Sequence, residues 1–302
     1  DYPLFPEVFR KAGYNVTFIT NEFLPQAKEA VYDFSGGFFL NNPELSKLQF
    51  DHRNTQLHDL DDGLLKDYDD SLKTFQKEHN LTIFHLMGQH VNYKLRYRKE
   101  QAKFWASSYE EKRPELTTAQ RKMLSHYDNA TLYNDSIVTQ IVKRFQKENA
   151  IVIYVPDHGE ECYEEDRGFI CRNHAANIDW PLAHYEFEIP FWIYCSPKYI
   201  KTHRDIYRQI RAAKDKRFMT DALPHLLLYL AGIETPTYKE EYNILSPKYN
   251  EMRPRILKNS ADYDQLRDEH LKKMKEQKKQ EEGQQQKKKS NKKQKKIQKE
   301  RR

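Results

Sequence analysis

At 302 residues the chain is long enough to bury a sizeable core, which excludes a disulfide-stapled miniprotein and leaves one large domain or two small ones. Its charge is uneven: residues 271–302 hold 15 Lys/Arg against 4 Asp/Glu, so the formal net charge of +6 resolves into a tail of +11 and a body of −5. No run of about 18 apolar residues occurs, so no stretch is suited to cross a bilayer as a helix, and three cysteines are too few for a disulfide framework.

In chain order, Leu4, Val8 and Ala12 lie four apart and precede Gly13, which predicts a helix and its C-cap. Val16-Thr17-Phe18-Ile19 predicts a strand ending at Asn21. The order then repeats: a polar helical stretch from Leu64 to His79 leads into an apolar strand, Leu81 to Met87, stopped by Gly88. Ala130, Tyr133, Ile137, Ile141 and Phe145 draw a helical stripe, followed by the strand Ile151–Val155 and Pro156. A fourth strand, Ile189 to Cys195, precedes a helix containing Leu223, Leu226, Leu227 and Leu230 that closes at Gly232. Helices alternating with apolar strands predict an α/β fold with a mostly parallel sheet covered by helices on both faces. Residues 33–62 and 99–118 read as polar insertions. The expected organisation is a folded domain over residues 1–260 and a basic, Lys/Gln-rich, disordered tail over 261–302.

Ligands of open α/β sheets sit at the C-terminal ends of strands. There the strand Ile151–Val155 delivers Pro156-Asp157-His158-Gly159-Glu160-Glu161, and a carboxylate beside an imidazole suits a borderline cation such as zinc. Alone, the Asp-His-Gly string reads first as an N-cap or turn with a hydrogen-bonded His. Two more strand-end histidines add weight: His90, in Gly88-Gln89-His90 after the second strand, and His174, in Asn173-His174. His85 lies within its strand and is expected to be a satisfied core histidine. His184, Glu186 and Glu188 alternate before Ile189-Pro190 and are expected to mark a strand entry. The acidic run Glu160, Glu161, Glu164, Glu165 and Asp166 lacks the glycine and alternation of a calcium loop. Tyr93, Arg96, Tyr97 and Arg98 suit either an anionic headgroup or a solvated basic face. Cys162 and Cys171, nine residues apart in one polar loop, are able to close as one bridge.

Three strings, Phe84-His85-Leu86-Met87-Gly88-Gln89-His90, Tyr127-Asp128-Asn129-Ala130-Thr131-Leu132-Tyr133-Asn134-Asp135 and Asp157-His158-Gly159-Glu160, resemble in order and spacing the phosphoethanolamine transferases that modify lipid A. That family lies within the alkaline phosphatase and sulfatase superfamily, and the likeness spans roughly residues 1 to 257. It implies an alkaline-phosphatase/sulfatase-like fold, incomplete at its N-terminus, with Asp157 and His158 as zinc ligands. It also implies His90 and His174 as histidines acting at the donor phosphate or at an additional zinc. The family's nucleophilic Thr and remaining Glu ligand fall upstream of the first helix, so the chain is expected to be the C-terminal part of a catalytic domain and inactive alone.

For the whole enzyme the resemblance implies phosphatidylethanolamine as donor, a phospho-Thr intermediate, and lipid A or another glycan or lipid as acceptor. It places the domain in the periplasm of an inner-membrane protein. The basic tail is expected to meet an anionic membrane surface; no nucleic-acid partner is expected, because the tail carries no aromatic residue to stack on a base. The alternatives are a sulfatase or phosphodiesterase/phosphatase with water as final acceptor, and a non-catalytic metal- or membrane-binding domain.

Overall fold

The first strand, β1 (Asn15–Thr20), is buried at every position, so both of its faces must be covered. Residues 4–22, 43–173 and 177–300 are described by the computed structural model, with backbone alone at 43, 166 and 285–300. They form two compact units, one of residues 1–154 and 192–251, the other of residues 155–191 and 252–302.

In the first unit β1 is the central strand of a parallel sheet ordered β2-β1-β3, with β2 at His52–Arg53 and β3 at Asn80–His85. Its alternation sorts the layers. Val16 and Phe18 pack with Phe9 of helix α1 (Phe5–Lys11), with Phe50 and with Leu228. On the other face Ile19 packs with Leu64, Tyr68 and Leu72. The expected parallel sheet with helices on both faces is therefore present.

Between β1 and β3 the chain forms α2 (Pro43–Gln49) and α3 (Asp62–Asp70). The predicted helix over Leu64–His79 ends earlier: after Asp70 only a 3-10 turn, Leu72–Phe75, follows, because Ser71 (φ −138°) breaks the helical backbone. Helix α4 (Thr118–Phe145) begins at a capping box, in which Thr117 Oγ1 accepts Gln120 N–H at 3.3 Å and Gln120 Oε1 accepts Thr117 N–H at 2.8 Å.

The expected fourth strand differs in two ways. It starts at Trp192, two residues past Pro190, and as β7 (Trp192–Cys195) it pairs antiparallel with β4 (Ile151–Tyr154), Ile151 opposite Cys195 and Tyr154 opposite Trp192. Apolar content reports burial and leaves strand direction open. After β7 come α6 (Pro197–Thr202), α7 (Arg204–Ala212) and the apolar α8 (Leu223–Leu230).

The second unit holds a short antiparallel hairpin, β5 (Glu161–Cys162) with β6 (Ile170–Cys171), helix α5 (Trp180–Phe187), and a small β8–β9 ladder of Ile256–Leu257 with Ala261–Asp262. Asp179 caps α5 by accepting Leu182 N–H at 3.0 Å. His184 and Glu186 therefore lie on a helix and not at the expected strand entry; the cap sets a period near 3.6 where their spacing of two suggested extension. Residues 263–300 form a helix, α9, where a disordered tail was expected. Asp262 Oδ1 caps it by accepting the N–H groups of Asp264 and Gln265 at 2.9 and 3.2 Å, and Lys, Gln and Glu have high helix propensity even without an apolar face. Its base is anchored by Tyr263 and Leu266 around Ala183 and Leu257, and Trp180 stacks between His184 and His270 at 5.4 and 5.3 Å.

Candidate active site

The turn that carries His90 is built around a buried carboxylate. Asp61, 5% exposed, accepts Asn21 Nδ2 at 2.9 Å and Met87 N–H at 3.1 Å on Oδ1, and Gly88 N–H at 2.8 Å on Oδ2. These bonds fix the exit of β3 against the exit of β1. Gly88 has φ +53°, a left-handed backbone that favours glycine. His90 N–H then closes on Met87 O at 3.0 Å, while Arg96 donates to the carbonyls of His90 and Val91, both at 3.1 Å. Arg98 pairs with Asp62. Both arginines of the Tyr93–Arg98 segment thus make intramolecular bonds that hold the loop after His90. His85 is partnered, with Nδ1 2.9 Å from Thr20 Oγ1 and Nε2 3.5 Å from Glu22, but at 35% side-chain exposure it is half-buried and not the core histidine expected, because it sits at the strand's C-terminal end.

The Tyr127–Asp135 string braces the polar insertion. Asn129 Oδ1 accepts the N–H groups of Lys103 and Phe104 at 2.7 and 3.1 Å, and its amide donates to Phe104 O at 2.8 Å. Asp128 accepts from Tyr109 OH, and Thr131 Oγ1 accepts from Gln89 Nε2 at 2.7 Å, one residue before His90.

In the second unit Asp157 and His158 come together by sequence adjacency and by geometry. His158 Nδ1 lies 2.7 Å from Gly159 O, and since a carbonyl only accepts, Nδ1 is the donor and Nε2 is the ring nitrogen left to face a ligand. Nε2 lies 3.5 Å from Asp157 Oδ2, while Asp157 Oδ1 accepts His158 N–H at 3.0 Å. Two ligands of a tetrahedral zinc at about 2.1 Å lie about 3.4 Å apart, so this pair matches one edge of such a site, with the imidazole fixed by a carbonyl as zinc-bound histidines commonly are. Asp157 is 86% exposed at its side chain and remains accessible. These residues fit zinc. Among the described residues, no group of three or more His, Cys, Asp or Glu is gathered for a metal.

Gly159 is required by close approach: a Cβ there would stand 2.2 Å from Tyr185 O. Beyond it Glu161 is 1% exposed and pairs with Arg167 at 2.8 Å, which itself reaches Asp179 at 3.0 Å. The Glu161 bond holds the guanidinium pKa above its ordinary value, against the opposing effect of burial. The hairpin register sets Glu161 opposite Cys171 and Cys162 opposite Ile170, so the two cysteines fall on alternate faces, and both are free thiols. His90 belongs to the first unit, and His174 lies outside the described residues. Sequence reading missed Asp61, one of several aspartates in Asp59-Leu60-Asp61-Asp62, and gave Glu161 and Glu186 no role.

The sulfatase family model matches residues 1–233. The curated phosphoethanolamine transferase EptC of Escherichia coli strain RS218 is 29% identical over 252 residues, covering 82% of this chain and 41% of that protein. The Kdo(2)-lipid A phosphoethanolamine 7''-transferase of E. coli K12 is 30% identical over 162 residues, 52% of this chain and 27% of that protein. A crystal structure of the C-terminal periplasmic domain of E. coli EptC in complex with Zn superposes with a TM-score of 0.68 at 27% identity, covering 87% of this chain and 72% of that one. The chain thus spans well under half the length of the curated relatives named here. The extent of the family match and the agreement in fold lead to one assignment: the chain belongs to the sulfatase family, and these relatives within it are phosphoethanolamine transferases.

Proposed function

We propose that this chain is the C-terminal part of a zinc-dependent enzyme that transfers phosphoethanolamine from phosphatidylethanolamine to lipid A or a related acceptor, through a phospho-Thr intermediate whose Thr lies outside residues 1–302. The observation that carries the reading is the Asp157 Oδ2–His158 Nε2 edge of 3.5 Å, with Nδ1 already committed to Gly159 O. The names of the relatives and the zinc complex of a similar domain support it.

Asp157 and His158 hold the metal, which when bound supplies Lewis acidity and lowers the pKa of a hydroxyl nucleophile. The Nδ1 bond to Gly159 O orients the His158 ring so that Nε2 is the nitrogen turned toward the metal. His90 and His174 meet the donor phosphate, where imidazoles stabilise charge on non-bridging oxygens or give a proton to the leaving oxygen. The proposed location is the periplasm, with the whole protein in the inner membrane; no described helix of this chain is long and apolar enough to cross a membrane. The +11 segment 271–302 binds an anionic phospholipid surface, at about 1 kcal/mol for each basic residue that reaches it.

The test is transfer from phosphatidylethanolamine to lipid A by the intact protein. Asp157→Ala and His158→Ala are each expected to lower turnover by about 100-fold or more. Wild-type turnover in either variant overturns the ligand assignment, and hydrolysis of a sulfate ester in place of transfer overturns the substrate class.

A further inference from the structure

The hairpin that follows Asp157 and His158 has only two registered pairs, Glu161 opposite Cys171 and Cys162 opposite Ile170. Continuing that register towards its open end would set Gly159 opposite Asn173, yet these two do not form a rung. Each amide instead finds Glu186. Gly159 N–H donates to the Glu186 backbone carbonyl at 2.8 Å, and Asn173 N–H donates to Glu186 Oε1 at 2.6 Å. We infer that Glu186 is a positioning residue that wedges the open end of this hairpin, holding the arm that carries Asp157 and His158 at a fixed spacing from the arm that ends at Asn173.

The physical case has three parts. Glu186 lies in the last turn of α5, where backbone carbonyls have no partner within the helix, so its C=O is available to Gly159. The approach is tight: besides the 2.2 Å contact with Tyr185 O, a Cβ on residue 159 would meet Glu188 O at 3.3 Å, so only glycine admits the helix end. Finally, Glu186 is 1% exposed and its Oε2 has no hydrogen-bond partner among the described residues. Burying a carboxylate with one oxygen unsatisfied is a poor way to gain stability. It does give a short, charge-assisted bond of defined direction to Asn173 N–H, which suits placement of the chain.

The inference rests on the reading of Asp157 and His158 as zinc ligands, and the test separates the two. Zinc is titrated into the purified intact protein carrying Glu186→Ala, Glu186→Gln, Gly159→Ala or Asp157→Ala, and amide exchange is followed at residues 159 and 173. Residues that orient ligands typically control metal affinity by about 10–100-fold. Glu186→Ala is therefore expected to lose affinity in that range and to expose the Asn173 amide, and Gly159→Ala to lose as much by displacing the same helix end. Glu186→Gln keeps the acceptor and is expected to restore both readouts. In the intact enzyme the Ala variant should lower kcat with little change in donor KM.

Wild-type zinc affinity in a folded Glu186→Ala chain, or a Gln variant as impaired as the Ala variant, overturns the positioning role. Should Glu186→Ala not fold, rapid exchange of both amides in the wild-type chain overturns it equally well. If Asp157→Ala keeps full zinc affinity, it is the ligand reading that fails; the exchange data still decide whether the wedge exists.

Discussion

Asp61 in the first unit and Glu186 in the second do the same job with different completeness. Both are buried carboxylates that hold a strand-end turn by accepting main-chain N–H groups, Met87 and Gly88 in one case and Asn173 in the other. Asp61 uses both oxygens and adds Asn21, whose own Oδ1 accepts His58 N–H at 2.7 Å, so the His90 turn belongs to a closed network. Glu186 uses one oxygen, and Glu161 relies on Arg167, a cation whose side chain is 25% exposed. The first unit carries both the parallel sheet and the antiparallel β4–β7 pair. In the second, a few bonds and one tightly packed glycine set the geometry of the Asp157-His158 pair.

That contrast breaks first at Arg167. Removing the cation leaves Glu161 buried with its charge uncompensated, so Arg167→Ala is expected to cost about 3–5 kcal/mol in chemical denaturation, and adding Glu161→Gln should recover much of the loss. An additive double variant would show that the pair is not coupled. Next comes Asp61→Ala, which strands the half-buried Met87 and Gly88 N–H donors and is expected to cost about 1–3 kcal/mol in chemical denaturation. An unchanged midpoint would show that these bonds add nothing to the turn.

The smallest effect concerns pH. Burial, then Lys122 and Lys94, push His126 below its ordinary value of 6.5, and Tyr97 OH lies 2.9 Å from its Nδ1. Between the lowered folded value and 6.5 the unfolded chain binds more protons than the folded one, so stability rises with pH through that window and is lost as pH falls through it. Replacing His126 by Gln should flatten this acid limb in melting curves; an unchanged slope would contradict the assignment.

The sequence made the first unit legible because its strands are short, apolar and stopped by Asn21, Gly88 and Pro156. Strand direction was not legible: Ile189–Cys195 looks the same whether parallel or antiparallel to Ile151–Tyr154. Alternation at 184, 186 and 188 misled because Asp179 caps a helix just before it, and capping outweighs a three-position pattern. The adjacency of Asp157 and His158 at a strand exit was legible. Its supports were not, since Glu186 reaches Gly159 and Asn173 across gaps of 27 and 13 residues that no local pattern encodes.

The central claim is that Asp157 and His158 form a ready edge of a zinc site. X-ray absorption at the zinc edge of the loaded intact protein tests it most directly. The account predicts nitrogen and oxygen ligands at about 2.0–2.2 Å, with an imidazole contribution that disappears in His158→Ala. A spectrum unchanged by that substitution, or sulfur at about 2.3 Å from Cys162 or Cys171, would contradict it.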